Sequence, residues 1–369
     1  MEETVFTGSI NYNPNDIWII DTDYGYDDRI ALSFLIKKLN VIAITLCHNS
    51  LKRDLHLLKE KVISDLRKIG KENVPVYLGA DRPYINYVQD LKDDEILDPY
   101  NYKNEINLEL KEENKNENLN VQTNGNSNGK NNDAAQNPTE ILSNIAAVKI
   151  VELVRLHGKK LNILSLGPLT NISLAIILDI SIRNLFNKLY IVGGSVFNFG
   201  NSGNSSEYNF RCDPVAAKNV IMNYKNIHLL SLEIDLFLKE HKKDLLACLD
   251  EIKLLNLKKS ENLIEDYTLF LKHFRTIYEK DEENEEYYHS LFGFTAAVLV
   301  LYPELILKKN VKILPCDVDI FGRKTRGGLM IQNYEHLKNG KFNDVAIISE
   351  FYLQDYLSVL KKLLIEELN

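Results

Sequence analysis

The chain has 369 residues, of which 45% are hydrophobic and 26% are charged, and its net charge is −8. This composition is ordinary for a globular protein, and the length suits one large α/β domain or two small ones. The acidic balance argues against a nucleic-acid surface as the main function. No apolar run reaches the roughly 18 residues that a membrane-spanning helix needs.

The start of the chain and its cysteines predict a cytoplasmic protein. The first four residues, Met1 to Thr4, are acidic and lack the charged-then-apolar layout of a signal peptide. The four cysteines have no metal-ligand spacing, and we expect small buried residues in a reducing compartment rather than disulfide partners. They are Cys47, Cys212, Cys248 and Cys316.

The first predicted strand, residues 17–20, is followed by an acidic turn and by a predicted helix at 30–36. Parallel sheets place their ligands at the carboxyl ends of the strands. We therefore expect the carboxylates of this turn at such a strand end, with Gly25 supplying the unusual backbone angle of the turn. Within eight positions the turn contains Asp21, Asp23, Asp27 and Asp28.

Carboxylates crowded at one point repel each other unless a positive charge lies among them. A hard cation with oxygen ligands, Ca²⁺ or alternatively Mg²⁺, is the simplest such charge. The competing interpretation is an acidic first turn that complements the helix dipole. That interpretation accounts for Asp27 and Asp28 but not for Asp21 and Asp23, which belong to the strand end.

Further strands and helices alternate along the chain. We predict an open, mostly parallel sheet flanked by helices, within a single domain that spans residues 1–369. The sequence predicts a hairpin with a glycine-containing turn at residues 318–329 and a charged helical region at residues 240–278. The other predicted strands are 41–46, 74–80, 161–166, 189–195 with its exit, 227–232 and 345–348, and the other predicted helices are 55–69, 141–156 and 351–364.

Residues 101–137 interrupt this pattern. The segment is rich in Asn, Lys, Glu, Gly and Ser and has almost no apolar content. Such a composition cannot bury enough surface to offset the entropy of ordering the chain. We predict a disordered, low-complexity surface insertion here.

Three motifs, met in order, resemble those of the nucleoside hydrolases of the inosine-uridine-preferring type. The first is the aspartate-rich turn at 21–28, which differs from the family in Tyr24, where Pro is usual, and is followed by Arg29, where a small residue is usual. The second is Leu-Gly-Pro-Leu-Thr-Asn at 166–171. The third is the series Gly-Gly, Gly-Asn, Glu-Tyr-Asn, Asp-Pro and Ala-Ala between 193 and 217.

The resemblance implies a metal-assisted hydrolysis of ribonucleosides to ribose and a free base, in purine or pyrimidine salvage. It assigns the metal to Asp23, Asp28 and the main-chain carbonyl of Leu166, with Ca²⁺ as the expected ion, and makes Asp23 the general base. Asp21 would support the turn from outside the ligand shell. The predicted ribose-binding residues are Asp27, Asn49, Asn201, Glu207 and Asn209. Asn204 rivals Asn201, because two Gly-Asn pairs lie close together.

The family also has a His-Asp-Pro motif, in which the His acts near the leaving base and the Asp binds the metal. Counting back from Pro303 aligns Phe292 and Gly293 with this pair, whereas counting forward from Tyr278 brings His289 and Ser290 near it. Neither register supplies the Asp. His289 is the predicted base-side acid, and the preceding tyrosines, Tyr287 and Tyr288, are either a stacking surface for the base or ordinary helix-surface residues.

Two functions of different classes remain open. One is a Ca²⁺-dependent nucleoside hydrolase, which the family implies is a homodimer or homotetramer. The other is a degenerate relative that binds nucleoside or a partner protein without turnover. The second is favoured by the missing Asp, by the absence of the family's loop with Gly and His, and by Tyr24 and Arg29. The Arg29 guanidinium would replace the cation if it pointed into the acidic turn. A dehalogenase-like phosphatase shares the Asp-x-Asp strand end but not the later motifs.

Overall fold

The computed structural model describes residue 13 and residues 15–48, 54–85, 145–197, 199–202, 205–256, 291–331 and 343–366. The predicted insertion at 101–137 lies outside these ranges. Within them no helix is long and apolar enough to cross a membrane.

The described residues build one sheet of nine strands in the order β3-β2-β1-β4-β5-β6-β9-β7-β8. All neighbouring pairs are parallel except those of β7, which runs antiparallel to β8 and to β9. The predicted fold class is therefore confirmed. The strands are β1 (Ile17–Thr22), β2 (Asn40–Leu46), β3 (Val76–Leu78), β4 (Leu161–Ser165), β5 (Lys188–Val192), β6 (Ile227–Leu230), β7 (Lys312–Val318), β8 (Leu329–Ile331) and β9 (Asn343–Ile348).

Helices connect these strands and cover the sheet. The α-helices are α1 (Tyr26–Lys38), α2 (Leu55–Lys68), α3 (Ala146–His157), α4 (Thr170–Leu178), α5 (Tyr208–Cys212), α6 (Pro214–Asn223), α7 (Glu233–Glu240), α8 (Lys242–Asn256), α9 (Phe292–Leu301) and α10 (Leu353–Glu366). Short 3-10 helices lie at Gly158–Lys160, Ile180–Asn184, Pro303–Leu305 and Lys308–Asn310.

Strand β1 lies inside the sheet and is buried along its whole length. Successive side chains of a strand point to opposite faces, and two separate apolar layers result. Trp18 and Ile20 join the layer that includes α1, α9 and α10. Ile17 and Ile19 join the layer that includes α3, α4 and α6. This is why β1 is a continuous apolar run rather than an alternating one.

Several boundaries differ from the sequence-based predictions. Helix α1 begins at Tyr26 instead of Ile30. The prediction followed the apolar residues, whereas the first turn of the helix is polar and contains Asp27 and Asp28. The predicted hairpin exists, with Val318 opposite Leu329, but β7 already begins at Lys312. All four cysteines are free, as predicted, although Cys212 is only partly buried.

Candidate active site

Asp21, the next-to-last residue of β1, joins three elements at the carboxyl end of the sheet. Its Oδ1 accepts hydrogen bonds from Thr45 Oγ1 of β2 at 2.6 Å and from Asn171 Nδ2 of α4 at 2.8 Å. Its Oδ2 has no hydrogen-bond partner among the described residues. Burial raises the pKa of Asp21 to about 7. Asp21 thus links the end of β1 to β2 and to α4.

The turn after β1 takes its unusual backbone angle at Tyr24 and not at Gly25, which corrects the sequence-based prediction. Tyr24 has φ 53, whereas Gly25 has the ordinary values φ −58 and ψ 172. A left-handed backbone is uncommon for a bulky residue and has to be held by its surroundings. Here the Tyr24 N–H donates to Thr22 Oγ1 at 2.9 Å, its hydroxyl donates to Asp65 at 2.9 Å, and its ring is buried.

The other three aspartates of the turn form a group, which we call the acidic cluster, in which Asp23 and Asp28 are buried and Asp27 is partly buried. Thr22 Oγ1 donates to Asp28 Oδ2 at 2.6 Å, and the Gly293 N–H donates to Asp27 Oδ2 at 2.8 Å. Asp28 is also in hydrogen-bonding contact with Asp23. Burial, together with the charges of the other aspartates, raises the pKa of Asp28 well above its usual range. Burial raises the pKa of Asp27 to about 7, although the bond from Gly293 opposes this.

Arg29 follows these aspartates but points away from them. Its Nε and Nη2 donate to the two carboxylate oxygens of Asp65 on α2, at 2.6 and 3.0 Å. Burial opposes ionisation of Asp65, but the Arg29 guanidinium outweighs it, and the pKa of this carboxyl group is lowered. The guanidinium is therefore engaged with α2, which removes one reason for expecting a metal-free site.

The end of β4 lies directly against Asp23. The Leu166 N–H donates to the Asp21 carbonyl at 2.8 Å. A Cβ on Gly167 would lie 2.7 Å from Asp23 N, so the approach requires glycine. The Leu166 carbonyl, the predicted main-chain ligand, accepts a hydrogen bond from Asn209 Nδ2 at 2.8 Å. The first and third motifs thus meet the second motif here.

Glu207 and its neighbours form the start of α5. Glu207 caps this helix, because its carboxylate accepts from the Asn209 and Phe210 N–H groups at 3.0 and 3.2 Å, and it also accepts from Gly194 N at 3.0 Å. Burial raises its pKa to about 7, and the charge of Asp23 adds to that effect. Asn201 Oδ1 accepts from the Tyr208 N–H at 2.9 Å. Glu207 thus lies near Asp23, Asn209 contacts the Leu166 carbonyl, and Asn201 lies at the same helix start.

The first turn of helix α9 brings its second residue, Gly293, to the acidic cluster. Besides donating to Asp27, Gly293 has so little space that a Cβ would lie 2.5 Å from Asp28 Oδ1. The register counted back from Pro303 therefore brings Gly293 to the aspartates. Four other predicted residues lie outside the described ranges, as do the tyrosines beside His289. They are Asn49, Asn204, His289 and Ser290.

The oxygen donors beside Asp23 suit a hard cation in kind but are few in number. Asp23, Asp28 and the Leu166 carbonyl are the donor types that Ca²⁺ and Mg²⁺ prefer. The charges that chiefly act on Asp28 are those of Asp27 and Asp23, so a cation would relieve their repulsion. Yet no group of three or more His, Cys, Asp or Glu side chains within the described ranges is arranged to hold a metal. The donor types therefore fit a hard cation, with Asp23 and Asp28 as its two carboxylate ligands.

Sequence reasoning gave no role to Glu233, which shapes the neighbouring loop. Its Oε1 accepts from Ser195 Oγ and Val196 N, both at 2.8 Å, and from Phe197 N at 3.1 Å. The loop after β5 is thereby fixed at the carboxyl edge. The available signal was an acidic pair, Glu233 and Asp235, directly after the predicted strand at 227–232.

Comparison with known proteins identifies relatives over most of the chain. The family model described as "Inosine-uridine preferring nucleoside hydrolase" matches residues 18–356. Uridine nucleosidase 1 of Arabidopsis thaliana is 26% identical over 296 residues, which cover 79% of this chain and 76% of that protein. The pyrimidine-specific ribonucleoside hydrolase RihA of Shigella flexneri serotype 5b is 23% identical over 341 residues, which cover 89% of this chain and 92% of that protein.

Solved structures share the fold. A plant nucleoside hydrolase, the PpNRh1 enzyme, has a TM-score of 0.65 at 20% identity, covering 95% of this chain and 99% of its own. An inosine-guanosine nucleoside hydrolase has a TM-score of 0.62 at 19% identity, covering 94% of this chain and 98% of its own.

Proposed function

This chain belongs to the inosine-uridine preferring nucleoside hydrolase family, and we propose that it hydrolyses the N-glycosidic bond of ribonucleosides with the help of a divalent cation, Ca²⁺ in the first place. The products are ribose and a free base. The observation that carries the proposal is the acidic cluster of Asp23, Asp27 and Asp28, whose charges repel each other beside the sugar-binding candidates of α5.

The cation would be held by Asp23, Asp28 and the Leu166 carbonyl. When bound, it would supply positive charge that polarises a water molecule and the ribose hydroxyls. Asp23 would act as the general base and take a proton from the attacking water. The water oxygen then bonds to the anomeric carbon, and the base leaves with the electron pair of the broken bond. His289 is the proposed donor of a proton to that base.

The ribose would be held between Asp27 and α5. Both donor hydrogens of Asn209 Nδ2 are directed at carbonyls, those of Leu166 at 2.8 Å and Val192 at 3.0 Å. Its Oδ1 would then accept from a ribose hydroxyl, as would the Glu207 carboxylate. Asn49 and Asn201 complete the proposed set. Acceptors around the ring would stabilise the positive charge that develops on the sugar in the transition state.

The names of the relatives suggest which nucleosides to test as substrates. The curated relatives are named for uridine and for pyrimidine ribonucleosides, whereas one structural relative is named for inosine and guanosine. We propose uridine as the first substrate to test and a place in pyrimidine or purine salvage. A cytoplasmic location and a homodimeric or homotetrameric state stay predictions.

One observation favours the alternative, a relative that binds nucleoside without turnover. Helix α9 offers Gly293 at the cluster, so a carboxylate ligand that the family resemblance implies is missing there. Because Ca²⁺ takes six to eight oxygen ligands, the lack of one carboxylate would weaken cation binding. That loss would slow hydrolysis while leaving the sugar-binding residues in place.

The test is a ribose-release assay on purified protein with uridine, cytidine, inosine, adenosine and guanosine, with and without Ca²⁺. The free base is followed by chromatography in the same samples. We expect equal amounts of ribose and base, released only with the cation and not by Asp23→Ala. If the folded protein releases no ribose from any nucleoside but still binds one by calorimetry, the alternative function is correct.

A further inference from the structure

Two connections at the amino ends of β4 and β5 expose aliphatic side chains. One is the end of α3 with the 3-10 helix after it, residues 155–160, and the other is the end of α4 with the next 3-10 helix, residues 177–185. The candidate active site lies at the opposite ends of these strands, so neither connection has a part in the proposed mechanism. The exposed fractions lie between 37% and 74% for Leu156, Ile177, Leu178, Ile180 and Leu185.

These five side chains belong to one surface, because the two connections contact each other. Helix α3 packs against α4 and against the 3-10 helix that follows α4. Arg155 Nε donates to Asp179 Oδ2 at 2.6 Å, and Arg155 Nη2 donates to Ser181 Oγ at 3.1 Å. Lys159 Nζ donates to the Phe186 carbonyl at 2.7 Å. Single exposed apolar residues are ordinary on a protein surface, whereas a contiguous group marks a site of contact.

Basic residues surround this surface, although the chain as a whole is acidic. The two connections contain four Lys or Arg residues and one acidic residue, Asp179, whereas the net charge of the chain is −8. Asp179 is already paired with Arg155. Lys160 and Arg183 are exposed and have no ion-pair partner among the residues that the structure describes. The surface is therefore positive on a protein that is otherwise negative.

We propose that this surface, the basic aliphatic patch, docks on a membrane surface that contains the anionic phospholipid phosphatidylserine. The five aliphatic side chains would enter the boundary between head groups and acyl chains, and the cations would lie among the anionic head groups. Because the rest of the chain is acidic, an anionic membrane would attract this patch first and so orient the protein. The candidate active site, at the opposite edge of the sheet, would then face the solution.

The composition of the basic aliphatic patch favours a lipid surface over a protein partner. The residues that dominate binding at protein interfaces are mainly Trp, Tyr and Arg seated in pockets, and Leu is under-represented among them. The apolar residues of this patch are only Leu and Ile. A second copy of the chain, placed symmetrically, would bring Lys160 and Arg183 of both copies to one interface, and like charges oppose such a contact. An anionic lipid surface requires no matching pocket and supplies the opposite charge.

The test measures co-sedimentation of the full chain with phosphatidylcholine vesicles, with and without phosphatidylserine, at about 0.1 M and about 1 M salt. Ile177→Ser combined with Leu178→Ser removes much of the aliphatic area. The control is Leu57→Ser, at an exposed leucine of α2. Thermal unfolding checks that each variant is folded, and analytical ultracentrifugation gives the mass of each protein without vesicles.

A second pair of variants tests the charge of the patch. Lys160→Gln combined with Arg183→Gln removes two of its cations. The control, Lys308→Gln combined with Lys309→Gln, removes two exposed lysines that lie shortly before β7. None of these residues belongs to the proposed catalytic machinery, so ribose release should be unchanged and the inference stands or falls independently of the proposed function.

We expect the wild type to bind vesicles that contain phosphatidylserine but not phosphatidylcholine alone, and to lose that binding at about 1 M salt. Both patch variants should bind at least about tenfold more weakly, and both controls should equal the wild type. Equal sedimentation with and without phosphatidylserine, or patch variants that bind like the wild type, would overturn the inference. So would a dimer that Ile177→Ser with Leu178→Ser converts to a monomer, because a second copy would then cover the patch.

Discussion

Two acidic groups at helix α1 differ in the charges around them: the first is Asp65 of α2, and the second is Asp27 and Asp28 in the first turn of α1 itself. On one side, Asp65 is paired with Arg29 and Lys68, and the pKa of Asp65 is lowered. On the other, Asp27 and Asp28 face further carboxylates, and their pKa is raised. The negative charge of the first group is balanced by side chains of the protein, so this group stabilises the fold without a ligand. The negative charge of the second group is balanced only when it binds a proton or a cation, as expected of a metal-dependent site.

The largest expected effect separates catalysis from stability within the acidic cluster. Asp23→Asn removes the general base and a cation ligand, so we expect kcat to fall by about 10³-fold or more. The fold should persist, because one of several repelling charges is gone. Ribose release from uridine measures the rate, and Asp81→Asn, at an exposed carboxylate paired with Arg82, is the control. A rate within about tenfold of the wild type would mean that Asp23 is not the base.

The pH dependence of stability tests the raised pKa values at the acidic cluster and beside it without any substrate. Burial holds the pKa of Asp21, Asp27 and Glu207 at about 7 in the fold, above their unfolded values near 4. These groups therefore favour the folded state when they are protonated. That stabilisation is fully present below about pH 4 and is lost as the pH rises through about 7 and the groups ionise. In a chelator, Tm should fall between about pH 5.5 and about pH 8, and Ca²⁺ should raise Tm more at the higher pH. A Ca²⁺ effect that is equal at both pH values would count against the cluster as its binding site.

A smaller effect is expected when the paired group is broken. Asp65→Asn leaves the partly buried Arg29 without its counter-charge, and we expect the free energy of unfolding to fall by about 2 kcal/mol. Urea unfolding measures this loss. Ca²⁺ affinity and kcat should stay within about twofold of the wild type, because the substitution lies on α2 and away from the cluster. A loss of Ca²⁺ binding in this variant would show that the two groups are not independent.

The smallest effect concerns the residue between the two groups. Tyr24→Phe removes only the hydroxyl that donates to Asp65 at 2.9 Å, so the free energy of unfolding should fall by about 1 kcal/mol. The left-handed backbone and the buried ring remain, and the turn should keep its shape. A change in Ca²⁺ affinity, measured by calorimetry beside the wild type, would reveal that the hydroxyl positions the aspartates as well.

The fold was largely predictable because most strands are buried on both faces. Runs such as 161–166 and 227–232 are apolar along their length, and only a strand inside a parallel sheet requires that pattern. The antiparallel strand β7 was missed in part, because its mixed sequence, with Lys312, Pro315 and Asp317, is only partly buried. The first turn of α1 was missed because a sequence rich in Asp and Gly is typical of a loop.

The site was predictable in its residue types and less so in its geometry. The expected acidic turn, the strand end at Leu166 and the start of α5 do meet, since parallel strands end at one edge. The backbone angle at Tyr24 depends on a hydrogen bond to Thr22 and on burial of the ring, which no local pattern encodes. The direction of Arg29 depends on Asp65, 36 residues away in the chain, and the approach of Gly293 to Asp27 spans 266 residues.

The most direct test of a cation-dependent acidic cluster is a Ca²⁺ titration of one chelator-treated preparation, followed in parallel by ribose release and by calorimetry. We predict that hydrolysis is absent at the start, rises with added Ca²⁺, and reaches half its maximum at the concentration that half-saturates the binding site. Full hydrolysis in the chelator, or binding that saturates without any gain in hydrolysis, would contradict the account.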